Sequence, residues 1–146
     1  VSGRAGRAQT KGRVIIQTYY PEHETIQSLA QLDRDAFYEN EIYYRKLNNL
    51  PPSGKMAAII VSGNNIVKVR EQCSIMFGSI PNISELEIYG PAPAPLSKLK
   101  GRHRQRFLIH DKKARNMQKI VNAWLKNSKS LSSVNISVDI DPFSFV

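Results

Sequence analysis

Near the end of the chain, Val134, Ile136, Val138 and Ile140 alternate without a break with Asn135, Ser137, Asp139 and Asp141, and Pro142 closes the run. Successive side chains of a strand point to opposite faces, so this pattern predicts a strand with one apolar face and one wet face. Such a strand belongs to a sheet that is covered on one side only. The rest of the chain has to supply the other strands and the cover.

The segments that can do so follow Pro51-Pro52-Ser53-Gly54, the clearest domain boundary in the sequence. Lys55 to Ser62 is rich in Ile and Val and bounded by glycines, which predicts a strand. Asn64 or Asn65 can cap a helix whose apolar face is Ile66, Val69, Cys73, Met76, Phe77 and Ile80, ended by Gly78 and Pro81. Glu85 to Gly90 and Gln105 to His110 read as two more strands. Asp111 is the expected cap of a second helix that buries Ala114, Met117, Ile120, Val121, Trp124 and Leu125. The order β-α-β-β-α-β predicts an α+β fold of ferredoxin-like type over residues 51–146. That is a four-stranded antiparallel sheet with both helices on one face, and its core is large enough to fold alone.

Upstream, Val14-Ile15-Ile16-Gln17-Thr18 after Gly12 reads as a short buried strand, closed by Pro21. From Glu22 to Asn49 there is neither Pro nor Gly. Ile26, Leu29, Ala30, Phe37, Tyr44 and Leu47 recur at helical spacing, so residues 22–50 are expected to form one long helix, or two with a break near Asp33 to Asp35. Tyr38 and Tyr43 widen its apolar surface. An aromatic face of this kind either packs between domains or stacks bases, and packing is the plainer reading. The chain opens at Val1, and residues 1–21 look like the end of a domain, which points to a piece of a longer protein.

The net charge of +9 is confined to two segments. Residues 1–13 carry Arg4, Arg7, Lys11 and Arg13 without an acid. Residues 98–113 carry Lys98, Lys100, Arg102, Arg104, Arg106, Lys112 and Lys113 against Asp111, and everything else is nearly neutral. In the second segment Lys98, Lys100, Arg102, Arg104 and Arg106 fall on every second residue, after the stiff Pro91-Ala92-Pro93-Ala94-Pro95. In an extended chain all five would share a face at a repeat of about 7 Å, which suits phosphates along a nucleic acid strand. Like charges so placed repel one another unless an anion meets them. The competing reading is a solvated edge guarded by Lys and Arg. In the first segment, Gly3-Arg4-Ala5-Gly6-Arg7 sets two guanidiniums three residues apart. Each follows a glycine, Gly3 or Gly6, that lets a ligand approach the backbone. The alternative here is a solvated basic terminus.

Other chemistry is excluded or weak. One cysteine, Cys73, allows no internal disulfide, and its place on an apolar helix face makes it core. His23, His103 and His110 lack metal-ligand spacing, so no metal site is expected. Asp139 and Asp141 face solvent together in an ideal strand and could meet a cation, though a plain strand edge is the simpler reading. The longest apolar run, Met56 to Val61, is far short of the roughly 20 residues that span a bilayer. Without a secretory signal pattern a reducing cytosol is the default compartment. There is neither a phosphate-cradling Gly-x-x-x-x-Gly-Lys-Ser/Thr loop nor an acidic Mg²⁺ motif, so this chain alone is not expected to hydrolyse ATP.

Several of these motifs resemble one family. Gly3-Arg4-Ala5-Gly6-Arg7 followed by Lys11-Gly12-Arg13-Val14-Ile15-Ile16-Gln17-Thr18 is similar to the last conserved motif of superfamily-2 helicases, in particular the PriA (primosomal protein N′) replication-restart family. The family's usual preceding Gln would lie before Val1. Asp33…Phe37-Tyr38…Glu41…Arg45…Leu50-Pro51-Pro52, the stretch Gly90 to Phe107 and the terminus Val138 to Pro142 resemble the same family in the same order. The resemblance implies that residues 1–21 end a RecA-like lobe, that residues 22–50 connect it to the C-terminal domain, and that Arg7, with Arg4 beside it, faces ATP as an arginine finger near Gly3 and Gly6. For the whole protein it implies ATP- and Mg²⁺-dependent 3′→5′ DNA unwinding, with zinc held by cysteines outside this chain. The implied partners are branched or single-stranded DNA, single-strand-binding protein and primosome proteins, and the implied location is the bacterial cytoplasm at the nucleoid. The rival reading is a stand-alone basic ferredoxin-like nucleic-acid-binding module of ribosomal-protein type.

Overall fold

The computed structural model describes residues 14–142, together with the backbone alone of Gly6–Arg7 and Thr10–Lys11. The chain forms two compact units, Val1–Glu41 and Ile42–Val146.

In the first unit, β1 (Gly6–Arg7) pairs antiparallel with β2 (Thr10–Lys11), Gly6 opposite Lys11. Residues 14–18 are not the buried strand expected. They have no regular structure, and Val14, Ile15 and Ile16 are all exposed, Ile15 by 81%. A strand satisfies its backbone N–H and C=O groups only beside another strand, and among the described residues none pairs with this segment. The helical region is broken in two. His23 caps α1 (Glu24–Gln31), its Nδ1 accepting from the Thr25 N–H. Leu32 ends that helix in the left-handed conformation, φ 57°. The Asp33 carboxylate then accepts from the Ala36 N–H at 3.0 Å and starts α2 (Arg34–Leu47), whose residues continue past Glu41. Of the two arrangements the sequence allowed, the broken one forms, because Asp33 is a better cap than a helix-interior residue.

The second unit contains β3 (Lys55–Gly63), α3 (Ile66–Gly78), β4 (Leu86–Leu99), β5 (Arg102–Asp111), α4 (Met117–Asn127) and β6 (Asn135–Ile140). The sheet order is β4-β5-β3-β6 and every pair is antiparallel. This is the ferredoxin-like α+β arrangement. Ala57, Ile59 and Val61 of β3 and Phe107 and Ile109 of β5 are fully buried against Val69, Cys73 and Met76 of α3 and Met117, Val121 and Trp124 of α4. The Trp124 ring meets Phe107 edge-on at 5.4 Å, and its Nε1 donates to the Met76 carbonyl at 3.0 Å. One side chain thus joins both helices to the sheet. Gln72, also fully buried, accepts from the Leu131 N–H and donates to the Lys129 carbonyl, which pins the loop between α4 and β6. Burial of Cys73 pushes its thiol up to about 11, in keeping with a core residue.

Four expectations need correction. Asp111 is not the cap of α4. It is the last residue of β5, and Asn116 caps the helix by accepting from the Lys119 N–H. Ala114 lies in the intervening turn at φ 50°, exposed rather than buried. Phe77 is 56% exposed, because it lies one residue past the buried stripe ending at Met76. Val138 pairs with the buried Ile59 and so has the expected parity. On an edge strand, however, it stays 39% exposed, while Ile136 and Ile140 pack on the core.

Trp124→Ala is expected to destabilise the second unit by about 3–5 kcal/mol, read as a lower urea midpoint in equilibrium unfolding. Gly78→Ala is the matched control, because an added Cβ there meets nothing within 4 Å. Its midpoint should stay level or rise.

Candidate nucleic-acid interface

The run of cations is not one extended strip. Lys100 and Gly101 have φ of 49° and 78° and form a two-residue turn, so β4 and β5 are the arms of a hairpin, with Leu99 opposite Arg102 and Lys98 opposite His103. Alternation along β5 sends Phe107 and Ile109 to the helix side and therefore Arg102, Arg104 and Arg106 to the other face, away from α3 and α4. Lys98, paired with His103, has the helix-side parity, and Lys100 sits at the tip. Three of the five proposed cations share a face, and the expectation that all five do is overturned. The every-second-residue rule holds only along one strand, and a two-residue turn reverses parity on crossing to the other. The Lys100-Gly101 pair between two strand-forming segments is the signal for that turn, hidden beneath the regular spacing of basic residues.

Arg104 and Arg106 lie over the middle of the sheet, and Arg102 lies at the hairpin end of β5. Arg104 is opposite Ser62, and Arg106 lies between Ile60 and Ala92. Arg102 Nη2 donates to the Ser62 carbonyl at 3.2 Å, and Arg104 Nη1 to the Leu96 carbonyl at 3.3 Å. Each bond uses one of the five donors of a guanidinium and orients the rest. The Arg104 bond also closes a bulge. Between the pairs Pro93–Gln105 and Lys98–His103, four residues of β4, 94–97, lie against Arg104 alone. Ala94 of this bulge is buried, whereas Leu96 and, next to the turn, Leu99 are exposed. Gly90 permits a further irregularity, with φ 112° and a site where an added Cβ would come 2.5 Å from the Arg106 carbonyl oxygen. The strand that carries Pro91, Pro93 and Pro95 is therefore β4 itself, much longer than the six residues expected, and an edge strand is where prolines are tolerated.

The same open face carries Glu87 and Tyr89 of β4, opposite His110 and Leu108. Glu87 accepts from Lys112 Nζ and, at 2.6 Å, from the Tyr89 hydroxyl. The Lys112 bond first and the Tyr89 bond second hold the Glu87 carboxyl down from 4.5 to about 2. The same bond to Glu87 raises the Tyr89 hydroxyl above its ordinary value, so that it stays protonated. His110, nearly buried, donates from Nε2 to the Asn49 carbonyl at 2.9 Å, and its Nδ1 lies 3.6 Å from Glu87. On the far strand β6 the face is uncharged apart from Asp139, with Asn135 and Ser137 beside it.

The remaining candidates divide as follows. Gly3 and Arg4 lie outside the described residues, and of Gly6 and Arg7 only the backbone, in β1, is described. Asp141 does not face solvent with Asp139. At φ 48° it turns back, accepting from Lys55 Nζ at 2.6 Å and from the Met56 N–H at 3.0 Å. Burial works to raise its carboxyl, but these bonds prevail and lower it. Asp111, fully buried, behaves alike: burial opposes ionisation, and bonds from the Arg115 guanidinium and from the N–H groups of Arg115 and Lys113 outweigh it. Among the described residues, no three His, Cys, Asp or Glu side chains form a group that could hold a metal ion. Among them, too, no helix is long and apolar enough to cross a membrane.

In an NMR titration of the side-chain carboxyl carbons, Glu87 should titrate near pH 2 and move back toward 4.5 in Lys112→Gln. Because the folded value is the lower one, the Glu87 contribution to stability is complete above about pH 4.5 and is lost as the pH falls toward 2. Acid unfolding of Lys112→Gln should therefore start at a higher pH.

A family model described as the primosomal protein N C-terminal domain matches residues 46–143. The Rickettsia conorii replication restart protein PriA is 39% identical over 145 residues, which is 99% of this chain and 22% of that protein. The PriA proteins of Bacillus subtilis and Haemophilus influenzae are 32% and 31% identical over 98% and 97% of this chain, and 18% and 20% of their own. The chain thus spans about a fifth of the length of these curated relatives. The sheet order, the two helices on one face and the match over residues 46–143 agree: the chain belongs to the primosomal protein N C-terminal domain family.

Proposed function

We propose that this chain is the C-terminal part of a PriA-type replication-restart helicase, and that its ferredoxin-like unit holds DNA on the open face and tip of the β4–β5 hairpin. The observation that carries this reading is the alignment of Arg102, Arg104 and Arg106 on the sheet face away from the helices, with Lys98 and Lys100 at the adjoining end. Cations so placed neutralise phosphates without reading bases, which suits a protein that must act at forks of any sequence. The relatives align beyond the C-terminal domain, over nearly all of this chain, which favours a helicase origin over a stand-alone ribosomal-protein-like module. In the full-length protein, unwinding would run 3′→5′ with ATP and Mg²⁺. Zinc would be held elsewhere in the protein, and single-strand-binding protein and primosome proteins would be its partners at the bacterial nucleoid. Arg7 would stabilise the transferred phosphoryl group, with Arg4, Gly3 and Gly6 close to the nucleotide.

Two experiments test this. Replacing Lys98, Lys100, Arg102 and Arg104 by Ala in this chain should weaken DNA binding and flatten its dependence on salt, by about 0.7 to 0.9 in log–log slope for each phosphate that is no longer neutralised. An unchanged slope sinks the DNA interface. In the full-length protein, Arg7→Ala should reduce DNA-stimulated ATP hydrolysis by about 10³-fold or more while DNA affinity holds. Normal turnover would remove Arg7 from the finger role.

A further inference from the structure

We propose that the open sheet face takes a single strand of nucleic acid rather than a duplex, and that the Tyr89 ring is the platform on which one base stacks. The inference rests on the DNA-binding reading above and deepens it.

Tyr89 is 53% exposed on the outer strand β4, on the sheet face away from α3 and α4, where its ring offers a large amphipathic surface. Its hydroxyl donates to Glu87 at 2.6 Å, which holds the ring at one end while about half of the residue stays accessible. Leu108 is its cross-strand partner and Arg106 its diagonal neighbour, about 7–8 Å away by the usual spacing of such pairs. That is the reach of a single nucleotide, with its base on the ring and its phosphate on the guanidinium. Glu87 is the acid nearest this path, and Lys112 offsets its charge. Asp139, the other acid of this face, is on β6, two strands away from the arginines. Charge therefore directs a polyanion along β5 and β4, from the Lys100 tip past Arg102, Arg104 and Arg106 to Tyr89. A duplex keeps its base faces inside the stack and offers a flat sheet only phosphates. A single strand can turn a base outward onto the ring while its phosphates follow the cations.

Anisotropy titrations of this chain with a labelled oligothymidine and with a blunt duplex of equal length test the idea. Tyr89→Ala should weaken single-strand binding about tenfold and leave duplex binding unchanged. Tyr89→Phe keeps the ring, loses the bond to Glu87, and should bind the single strand within about twofold of the parent. The thermal midpoint of each variant checks that the fold is kept. Three results would overturn the proposal: unchanged single-strand affinity in Tyr89→Ala, an equal loss for the duplex, or an equal loss in Tyr89→Phe, which would assign the effect to the Glu87 bond. If the Lys and Arg replacements still flatten the salt dependence in any of these cases, the DNA-binding reading survives without the platform. If the parent chain binds neither oligonucleotide, both fail.

Discussion

Ala57, Ile59 and Val61 of β3 are sealed from water, while Ala58 and Ile60 between them are only half-covered. That difference across one pleat organises the second unit. Because β3 pairs on both sides, with β5 and β6, its buried parity extends to Phe107 and Ile109 and fixes where α3 and α4 can lie. Trp124 then locks the helix layer, through its edge contact with Phe107 and its bond to Met76. With the apolar demand met on one side, the other side is released for charge. The arginine at position 106 would be intolerable one residue along, where the fully buried Phe107 sits.

The charged side carries its own order. Asp111 is buried at the end of β5 and gathers the N–H groups of Lys113 and Arg115 and the Arg115 guanidinium, which also reaches the Ser84 carbonyl. The turn into α4 is thereby set, and so is the position of Lys112, which meets Glu87 across the strand. Glu87 in turn fixes the Tyr89 hydroxyl and lies beside His110, whose other nitrogen holds Asn49 in the segment leading into β3. Paired polar groups thus occur along the way from the α4 corner to the entry of the sheet. Among the described residues no buried side-chain polar atom is left without a partner.

Much of this is legible from residue patterns. The alternation of Val134 to Ile140, the glycine-bounded Lys55–Gly63 segment and the Asn65 cap all act through local rules, and each element forms where those rules place it. The misreadings share a physical origin, since each depends on something other than local pattern. Val14 to Thr18 has the composition of a strand but no neighbour to pair with among the described residues. Asp111 looks like a cap, yet pairing with Lys55 and Leu86 keeps it in the sheet, and Asn116 takes the helix start. The basic residues repeat with period two straight through a turn, so periodicity alone puts Lys98 and Arg102 on one face. Tyr89 escapes a reading by pattern, because a single aromatic in an expected strand carries no signal until its neighbours across the sheet are known.

The prolines of β4 have a consequence for how the sheet ends. β4 is an outer strand, and an outer strand ordinarily offers a row of N–H and C=O groups to any other extended chain. Pro91, Pro93 and Pro95 carry no N–H, Gly90 turns the backbone aside, and the bulge at residues 94–97 breaks the spacing a second time. An incoming strand would find no continuous ladder to copy. The edge of the sheet can therefore be long and partly apolar, at Leu96 and Leu99, without serving as a template for self-assembly.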